Sequence, residues 1–152
     1  MNIQINTNVS KKFEDIVINI TAPEVTKELQ LIINNLSNLS ITREELVATK
    51  NNEIFLIKTK DIIYFYSDDK DVYAKSNNEV YKVKERLYEL EEFLPKNKFI
   101  RISNSCIINI EKTVSFDASI IGSLIAKMED NSKQEVSKRR ISNIMKFLKE
   151  RK

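Results

Sequence analysis

Short strand-like segments separated by polar turns dominate the sequence from Leu46 to Val136. Isoleucine, valine and aromatic residues recur in these segments with polar residues between them, which is typical of half-buried strands. Two of the turns are the asparagine pairs at 51–52 and 77–78, and such a pair favours a tight hairpin. So many short strands predict a mostly β fold with a few helices. The predicted strands are residues 46–49, 53–58, 62–67, 72–76, 79–83, 99–102, 106–110, 113–116, 123–128 and 134–136.

Three segments have apolar residues at three- and four-residue steps, the spacing of an amphipathic helix. The first follows Pro23, with Thr21 as the candidate cap, and extends to Leu39. The second covers residues 84–94 and ends where a proline follows. The third is basic and begins near Ser137. These helices complete the predicted mostly β architecture.

The start of the chain has its own pattern. Isoleucines alternate with polar residues at positions 3 and 5 and again at 16, 18 and 20, which predicts two short strands before the first helix. The sequence therefore predicts two parts. Residues 1–43 form a strand-strand-helix segment suited to dimerisation or to docking of a partner protein, and residues 44–152 form the strand-rich domain.

The amino-acid composition excludes several classes of function. The 152 residues include no histidine, one glycine and one cysteine. Nucleophile–histidine pairs, the usual general base and the commonest metal ligand are therefore missing. A phosphate-binding P-loop and a dinucleotide-binding turn each need more than one glycine. We therefore expect a protein that is not an enzyme and that needs no cofactor or metal. An enzyme that uses scattered carboxylates remains as an alternative, although the acids at 89, 91 and 92 are typical of a solvated helix face.

The cysteine content and the hydropathy pattern indicate where the protein resides. Cys106 is the sole cysteine, so no disulfide framework is available, and a reducing cytoplasm fits. Its sequence neighbours indicate a small buried side chain rather than a reactive thiol. No apolar run approaches the roughly 18 residues that a membrane-spanning helix needs.

The positive charge is concentrated at the end of the chain. Residues 133–152 contain eight basic and two acidic residues, a net charge of +6, whereas the remainder contains 17 basic and 20 acidic residues, or −3. A mildly acidic body with a basic end is suited to docking on a polyanion with one face. The alternative is a lysine-rich terminal helix that serves only solubility.

Within this basic end, the segment 136–140 changes from strand to helix. Ser137 is placed to cap the helix with its hydroxyl. Lys138, Arg139 and Arg140 then project from the first turn, beside the positive end of the helix dipole, where phosphate binds readily. An arginine there can also form two hydrogen bonds to the major-groove edge of guanine. A solvated basic turn is the alternative interpretation.

Three segments together resemble a known family. They are Tyr64-Phe65-Tyr66-Ser67 with its following turn, the block F-x-R-x-x-x-S-x-I-x-N from Phe99 to Asn109, and the junction Ser137-Lys138-Arg139. In order and spacing they are similar to the LytTR-type DNA-binding domain of bacterial response regulators, over residues 44 to 152. The resemblance implies an elongated β-sheet domain that reads double-stranded DNA with loops.

The resemblance also implies roles for individual residues. Arg139 matches the base-reading arginine, and Lys138 and Arg140 would hold the DNA backbone. Asn104 matches the second contacting loop, where an amide can bind adenine or phosphate. The remaining predicted contacts are Ser137, the phosphate donors Ser103 and Ser105, and the long side chain of Arg101.

The third contacting loop departs from the family pattern. Residues 68–71 read Asp-Asp-Lys-Asp, and three carboxylates repel phosphate. Lys70 and Tyr73 remain the candidates for contact there. This departure leaves open an alternative in which a degenerate LytTR-like domain serves as a protein-protein interaction module.

The leading prediction is a sequence-specific transcription regulator. The resemblance implies binding to directly repeated sites, commonly by two protomers, and a regulatory protein partner that in related small regulators can be a membrane inhibitor. The forty or so residues before the match are too few for a phosphoacceptor receiver domain, so we expect none there.

Overall fold

The computed structural model describes residues 2–37 and 43–151. The chain divides into two compact units, residues 1–39 and 40–152. In the first unit, α1 (Lys27–Ser37) is the regular element. It begins after Thr26, whose hydroxyl oxygen accepts a hydrogen bond from the Leu29 amide at 3.1 Å, and not after the Thr21 predicted as its cap. The last two residues of the predicted helix, 38 and 39, lie outside the described residues.

The two strands predicted near the start of the chain do not form. Residues 2–26 contain no strand, and the side chains of Ile16 and Val17 are 93% and 72% exposed. The predicted alternation is present in the sequence, but a strand also needs a partner strand and an apolar surface to cover. The described residues of their unit provide neither.

The second unit contains all ten predicted strands, which confirms the mostly β fold. Its helices are α2 (Leu87–Phe93) and α3 (Ile141–Glu150), and short 3₁₀ turns cover Thr59–Asp61, Ile110–Lys112 and Lys138–Arg140. The strands are β1 (Glu45–Lys50), β2 (Glu53–Lys58), β3 (Tyr64–Asp68), β4 (Asp71–Lys75), β5 (Val80–Val83), β6 (Phe99–Ser103), β7 (Cys106–Asn109), β8 (Thr113–Asp117), β9 (Ile125–Met128) and β10 (Lys133–Glu135).

The strands form two antiparallel sheets, one of seven strands in the order β2-β1-β5-β4-β3-β7-β6 and one of three in the order β10-β9-β8. Asn51 and Asn52 join β1 to β2 with φ values of 50° and 65°, between the paired residues Lys50 and Glu53. Two successive positive φ angles match the twist of a hairpin. The predicted tight hairpin is therefore confirmed, with asparagine in positions that glycine often takes.

Two apolar clusters lie on opposite faces of the larger sheet. Phe65 is fully buried in the first, which includes the leucines of α2, and its ring centroid lies 5.9 Å from that of Phe99. Ile108 belongs to the second, with Met128 of the small sheet and Ile144 of α3. Successive strand residues point to opposite faces, so β3 and β7 contribute to both clusters. The turns at the ends of these central strands therefore start from strands that are packed on both faces.

Arg43 is fixed to α2. The amide of Arg43 donates to the Phe93 carbonyl at 3.0 Å, and its guanidinium carbon lies 4.5 Å from the centre of the Phe93 ring. A guanidinium nitrogen also lies 3.8 Å from a carboxylate oxygen of the buried Glu85. Both the backbone and the side chain of Arg43 are therefore bound to the domain.

Candidate nucleic-acid interface

Three loops meet at one end of the larger sheet. They are the β3–β4 turn (residues 68–71), the β6–β7 turn (residues 103–106) and the 3₁₀ turn before α3 (Lys138–Arg140). We call these three loops together the loop end. The Ser67 amide donates to the Ser105 carbonyl at 2.9 Å, which joins the first two turns. The Ser137 amide donates to the Ile102 carbonyl at 2.8 Å, which joins the third loop to β6. Backbone hydrogen bonds therefore assemble three segments that are distant in sequence.

The loop end places Arg139 beside Asn104. A terminal guanidinium nitrogen of Arg139 donates a hydrogen bond to the amide oxygen of Asn104, across 35 positions of sequence. Both side chains are exposed. The two residues that the resemblance marks most strongly thus form one polar pair at the surface.

The turn before α3 differs from the prediction. Ser137 does not cap the helix, and its hydroxyl is buried without a hydrogen-bond partner among the described residues. The turn is closed instead by the backbone, where the Arg140 amide donates to the Ser137 carbonyl at 2.9 Å. The 3₁₀ turn lies between Ser137 and α3, so Arg140 and not Ser137 stands at the N-cap of the α-helix. Lys138 and Arg139 are exposed, whereas Arg140 is half-buried and its Nε has no partner in the part of the chain that the structure describes.

The β6–β7 turn is held by Arg101. Its Nε donates to the Ser103 carbonyl at 2.9 Å, and one terminal nitrogen donates to the Asn104 carbonyl at 2.6 Å. The other terminal nitrogen donates to a carboxylate oxygen of Glu91 on α2 at 2.8 Å. The Arg101 side chain is only 15% exposed. Its polar atoms therefore face the protein, although Arg101 was predicted to be a contact residue.

Small hydroxyl groups complete the same turn. The Ser105 amide donates to the Ser103 hydroxyl oxygen at 3.2 Å, and the two hydroxyl oxygens are 3.3 Å apart. Ser105 is exposed and Ser103 is half-buried. Both hydroxyls lie next to the backbone of Asn104, so the three predicted residues of this turn lie together.

The acidic β3–β4 turn is partly neutralised. Asp71 lies 3.1 Å from the ammonium group of Lys82, and Arg86 donates to the Lys70 carbonyl at 2.9 Å. Asp69 has a φ of 55°, a conformation that aspartate tolerates in a turn. The residues at 68–70 are exposed. The Lys70 side chain is therefore available at the surface, and it follows the two exposed aspartates Asp68 and Asp69.

The predicted contact residue Tyr73 lies on β4 and stacks on another aromatic side chain. Its ring centroid is 5.4 Å from that of Tyr66, with 26° between the ring planes. Burial raises the pKa of Tyr66, and the neighbouring Tyr73 and Asp68 act in the same direction. Both rings are half-buried. Tyr73 is thus tied into an aromatic pair on the sheet rather than projecting from the turn.

The sequence interpretation did not identify Glu91. It was assigned to the solvated face of its helix, but it contacts Arg101 across the turn that separates α2 from β6. Helix periodicity describes which residues share a face and says nothing of a strand that packs beside it. The only sequence signal for this contact is the opposite charge of Glu91 and Arg101. That signal does not distinguish Glu91 from Glu89 or Glu92 as the partner of Arg101.

The sole cysteine gives a first testable prediction. Burial raises the pKa of the Cys106 thiol to about 12, and its sulfur lies 3.8 Å from the Gln134 side-chain oxygen. Since the thiolate is the nucleophile, we expect native Cys106 to react with a disulfide reagent about a thousandfold more slowly than in the unfolded chain. The measurement compares labelling rates at pH 8 with and without denaturant. Equal rates would contradict the buried position.

Comparison with known proteins places this architecture in a family. The family model of the LytTr DNA-binding domain matches residues 52–149. The chain belongs to the LytTR DNA-binding domain family. An uncharacterized HTH-type transcriptional regulator of Staphylococcus aureus (strain NCTC 8325 / PS 47) is 39% identical over 109 residues, covering 72% of this chain and 70% of the relative. Another uncharacterized HTH-type transcriptional regulator, from Staphylococcus aureus (strain MW2), is 38% identical over 107 residues, covering 70% of this chain and 71% of the relative.

A solved structure agrees with the LytTR assignment. A LytTr DNA-binding domain from Bacillus cereus superimposes with a TM-score of 0.67 at 22% identity, covering 70% of this chain and 97% of that one. The predicted resemblance is thus confirmed, and the LytTR chain is a regulator of the DNA-binding type. Five strands separate α2 from α3, so these two helices do not form a consecutive helix-turn-helix pair. Among the described residues of this LytTR protein, no helix is long and apolar enough to cross a membrane.

Proposed function

We propose that this LytTR protein is a cytoplasmic transcription regulator that recognises specific duplex DNA with its loop end. The observation that carries the proposal is the hydrogen bond between Arg139 and Asn104 on the exposed side of the domain. Base recognition needs polar side chains that are held in a fixed relation to one another. Two separate loops supply such a pair here.

The polarity of the pair favours one class of base edge. The amide oxygen of Asn104 accepts from Arg139, so the pair offers DNA its amide NH₂ and the remaining guanidinium donors. Guanine presents two acceptors, O6 and N7, in the major groove, whereas bidentate binding of adenine needs an acceptor on the protein as well. We therefore propose guanine as the base that this pair reads. Adenine is the base expected if the pair separates on binding.

The residues around the pair are suited to phosphate. Lys138 is exposed in the turn before α3, and Ser105 is exposed beside Asn104. Arg140 and Ser103 are half-buried and flank the same positions. Phosphate contacts orient a protein on the duplex, and base contacts then specify the sequence. We propose that these four residues orient the domain and that two protomers occupy directly repeated sites.

A gel-shift experiment tests the proposal. Full-length protein is titrated against the duplex upstream of its own coding region, with an unrelated duplex of equal length as competitor. We expect a shifted complex that the unrelated duplex fails to displace at concentrations at which the unlabelled upstream duplex does so. Equal displacement by both duplexes would contradict sequence-specific recognition.

The salt dependence of binding gives a second prediction. Contacts between about five or six cationic groups and phosphate release counterions, so the logarithm of the binding constant should fall with the logarithm of salt concentration with a slope near −5. Fluorescence anisotropy of a labelled duplex between about 50 and 200 mM salt measures the slope. A slope close to zero would show that phosphate contacts do not carry the affinity.

An interaction module is the second candidate function. Asp68 and Asp69 are exposed at the loop end, where they oppose a phosphate backbone. If they dominate, the domain would bind a basic protein surface in place of DNA. The same gel shift separates the two candidates, because the interaction module forms no specific complex with any duplex.

A further inference from the structure

The side chain of Arg101 is occupied within the protein. Each of its three nitrogen atoms donates to an acceptor of this chain, namely the Ser103 carbonyl, the Asn104 carbonyl and the Glu91 carboxylate, at 2.6 to 2.9 Å. A DNA contact through this guanidinium would require giving up at least one of these hydrogen bonds. The Arg101 side chain therefore supports the turn between β6 and β7.

The supported turn is the one that carries the Asn104 amide. Two of the acceptors are the carbonyl groups of residues 103 and 104, so Arg101 holds the peptide groups on both sides of the Asn104 Cα. The strand pairing between β6 and β7 is irregular from Arg101 to Ser103, and the regular ladder therefore does not fix this stretch by itself. Glu91, whose side chain is 41% exposed, in turn anchors the guanidinium to α2.

We infer that Arg101 and Glu91 are positioning residues that set the base preference of Asn104 and Arg139 without contacting DNA. The inference rests on the proposed function. It gives Glu91, a residue of α2 and not of the loop end, a role in base preference. It also makes Arg101 a support of the contact residues instead of a contact residue itself.

The charge of Glu91 makes the inference distinguishable from simple electrostatics. Replacing Glu91 with glutamine removes a negative charge, which by itself strengthens attraction to a polyanion slightly. Loss of its ion pair with Arg101 loosens the turn and weakens specific binding. The two effects have opposite signs. Glu92, the next residue on α2, is exposed and has no ion-pair partner among the described residues, so Glu92→Gln is a matched control.

The experiment measures binding of the full chain to the upstream duplex, to single-base variants of it and to an unrelated duplex. For Glu91→Gln we expect about a five- to tenfold loss of affinity for the upstream duplex, with a flatter preference among the single-base variants and no loss on the unrelated duplex. Glu92→Gln should leave the preference unchanged. Arg101→Gln should reduce specific binding without changing the salt slope, whereas loss of a phosphate contact lowers the slope by about one.

Two further measurements separate positioning from folding and from the proposed function. The side-chain amide resonances of Asn104 should shift in Glu91→Gln and remain in place in Glu92→Gln, and thermal unfolding verifies that each variant is folded. Arg101→Lys, which keeps the charge, replaces Arg101→Gln if the latter does not fold. Identical behaviour of the two glutamate variants, or a salt slope lowered by one in the Arg101 variant, would overturn the inference alone. A wild-type chain with no specific binding would overturn the proposed function and this inference with it.

Discussion

Replacing Arg139 with alanine is expected to weaken binding to the specific duplex by about 1–3 kcal/mol, or roughly five- to 150-fold, and to relax the base preference. Arg139 is exposed at the loop end and donates to the Asn104 amide oxygen. The alanine variant loses the donors that face the DNA and also the partner that orients Asn104. Anisotropy titrations against the upstream duplex and its single-base variants measure both effects.

Lys149→Ala is the matched control for Arg139→Ala. Lys149 is also exposed and also cationic, but it lies in the last turn of α3, away from the loop end. We expect its replacement to change specific binding little, since it removes a charge without removing a base contact. Equal losses from the two variants would show that general charge attraction, and not a recognition site, explains binding.

A double-mutant cycle tests whether Arg139 and Asn104 act as one unit. If they do, the combined loss in Arg139→Ala with Asn104→Ala should be smaller than the sum of the single losses, because each variant already disables the pair. Strict additivity would show that the two side chains act on DNA independently.

The second large effect concerns stability. Phe65→Ala should lower the free energy of unfolding by about 3–5 kcal/mol, because it removes a large apolar side chain and leaves a cavity in the middle of the sheet. Phe65 is 0% exposed and packs against Phe99 in the cluster beneath α2. Since β3 also ends in the acidic turn, the loss should reduce the fraction of chains with a formed loop end. Urea denaturation followed by circular dichroism measures the change.

Ile54→Ala provides the comparison for Phe65→Ala within the same sheet. Ile54 lies on β2 and is 75% exposed, so its truncation removes little buried surface. We expect a change within about 0.5 kcal/mol. A cost similar to that of Phe65→Ala would show that another surface covers Ile54.

The strands of the second unit were predictable because local patterns determine them. The apolar alternation and the Asn51–Asn52 pair each report on neighbours a few residues away, and the hairpin formed accordingly. The family resemblance then marked Arg139 and Asn104 as residues of one surface. Their contact agrees with that expectation, while their roles in DNA binding remain predictions.

What sequence reasoning missed depends on tertiary contacts. The same alternation that predicted strands correctly after Leu46 was wrong at Ile16, because residues 2–37 provide no partner strand. The sequence predicts that the Ser137 side chain caps α3, but the turn before α3 is closed by a backbone hydrogen bond from the Arg140 amide to the Ser137 carbonyl. Arg101 carries the same charge as Arg139, and only its three internal acceptors distinguish a support from a surface group.

The attachment of Arg43 to Phe93 has an evolutionary consequence. A module that holds its own leading segment through Arg43 has an internal anchor for the arrangement of its strands. Gene fusion can therefore supply such a module with different sensory inputs while its target sequence stays the same. For the same reason, a hybrid in which another protein precedes Arg43 should inherit the DNA preference of this chain.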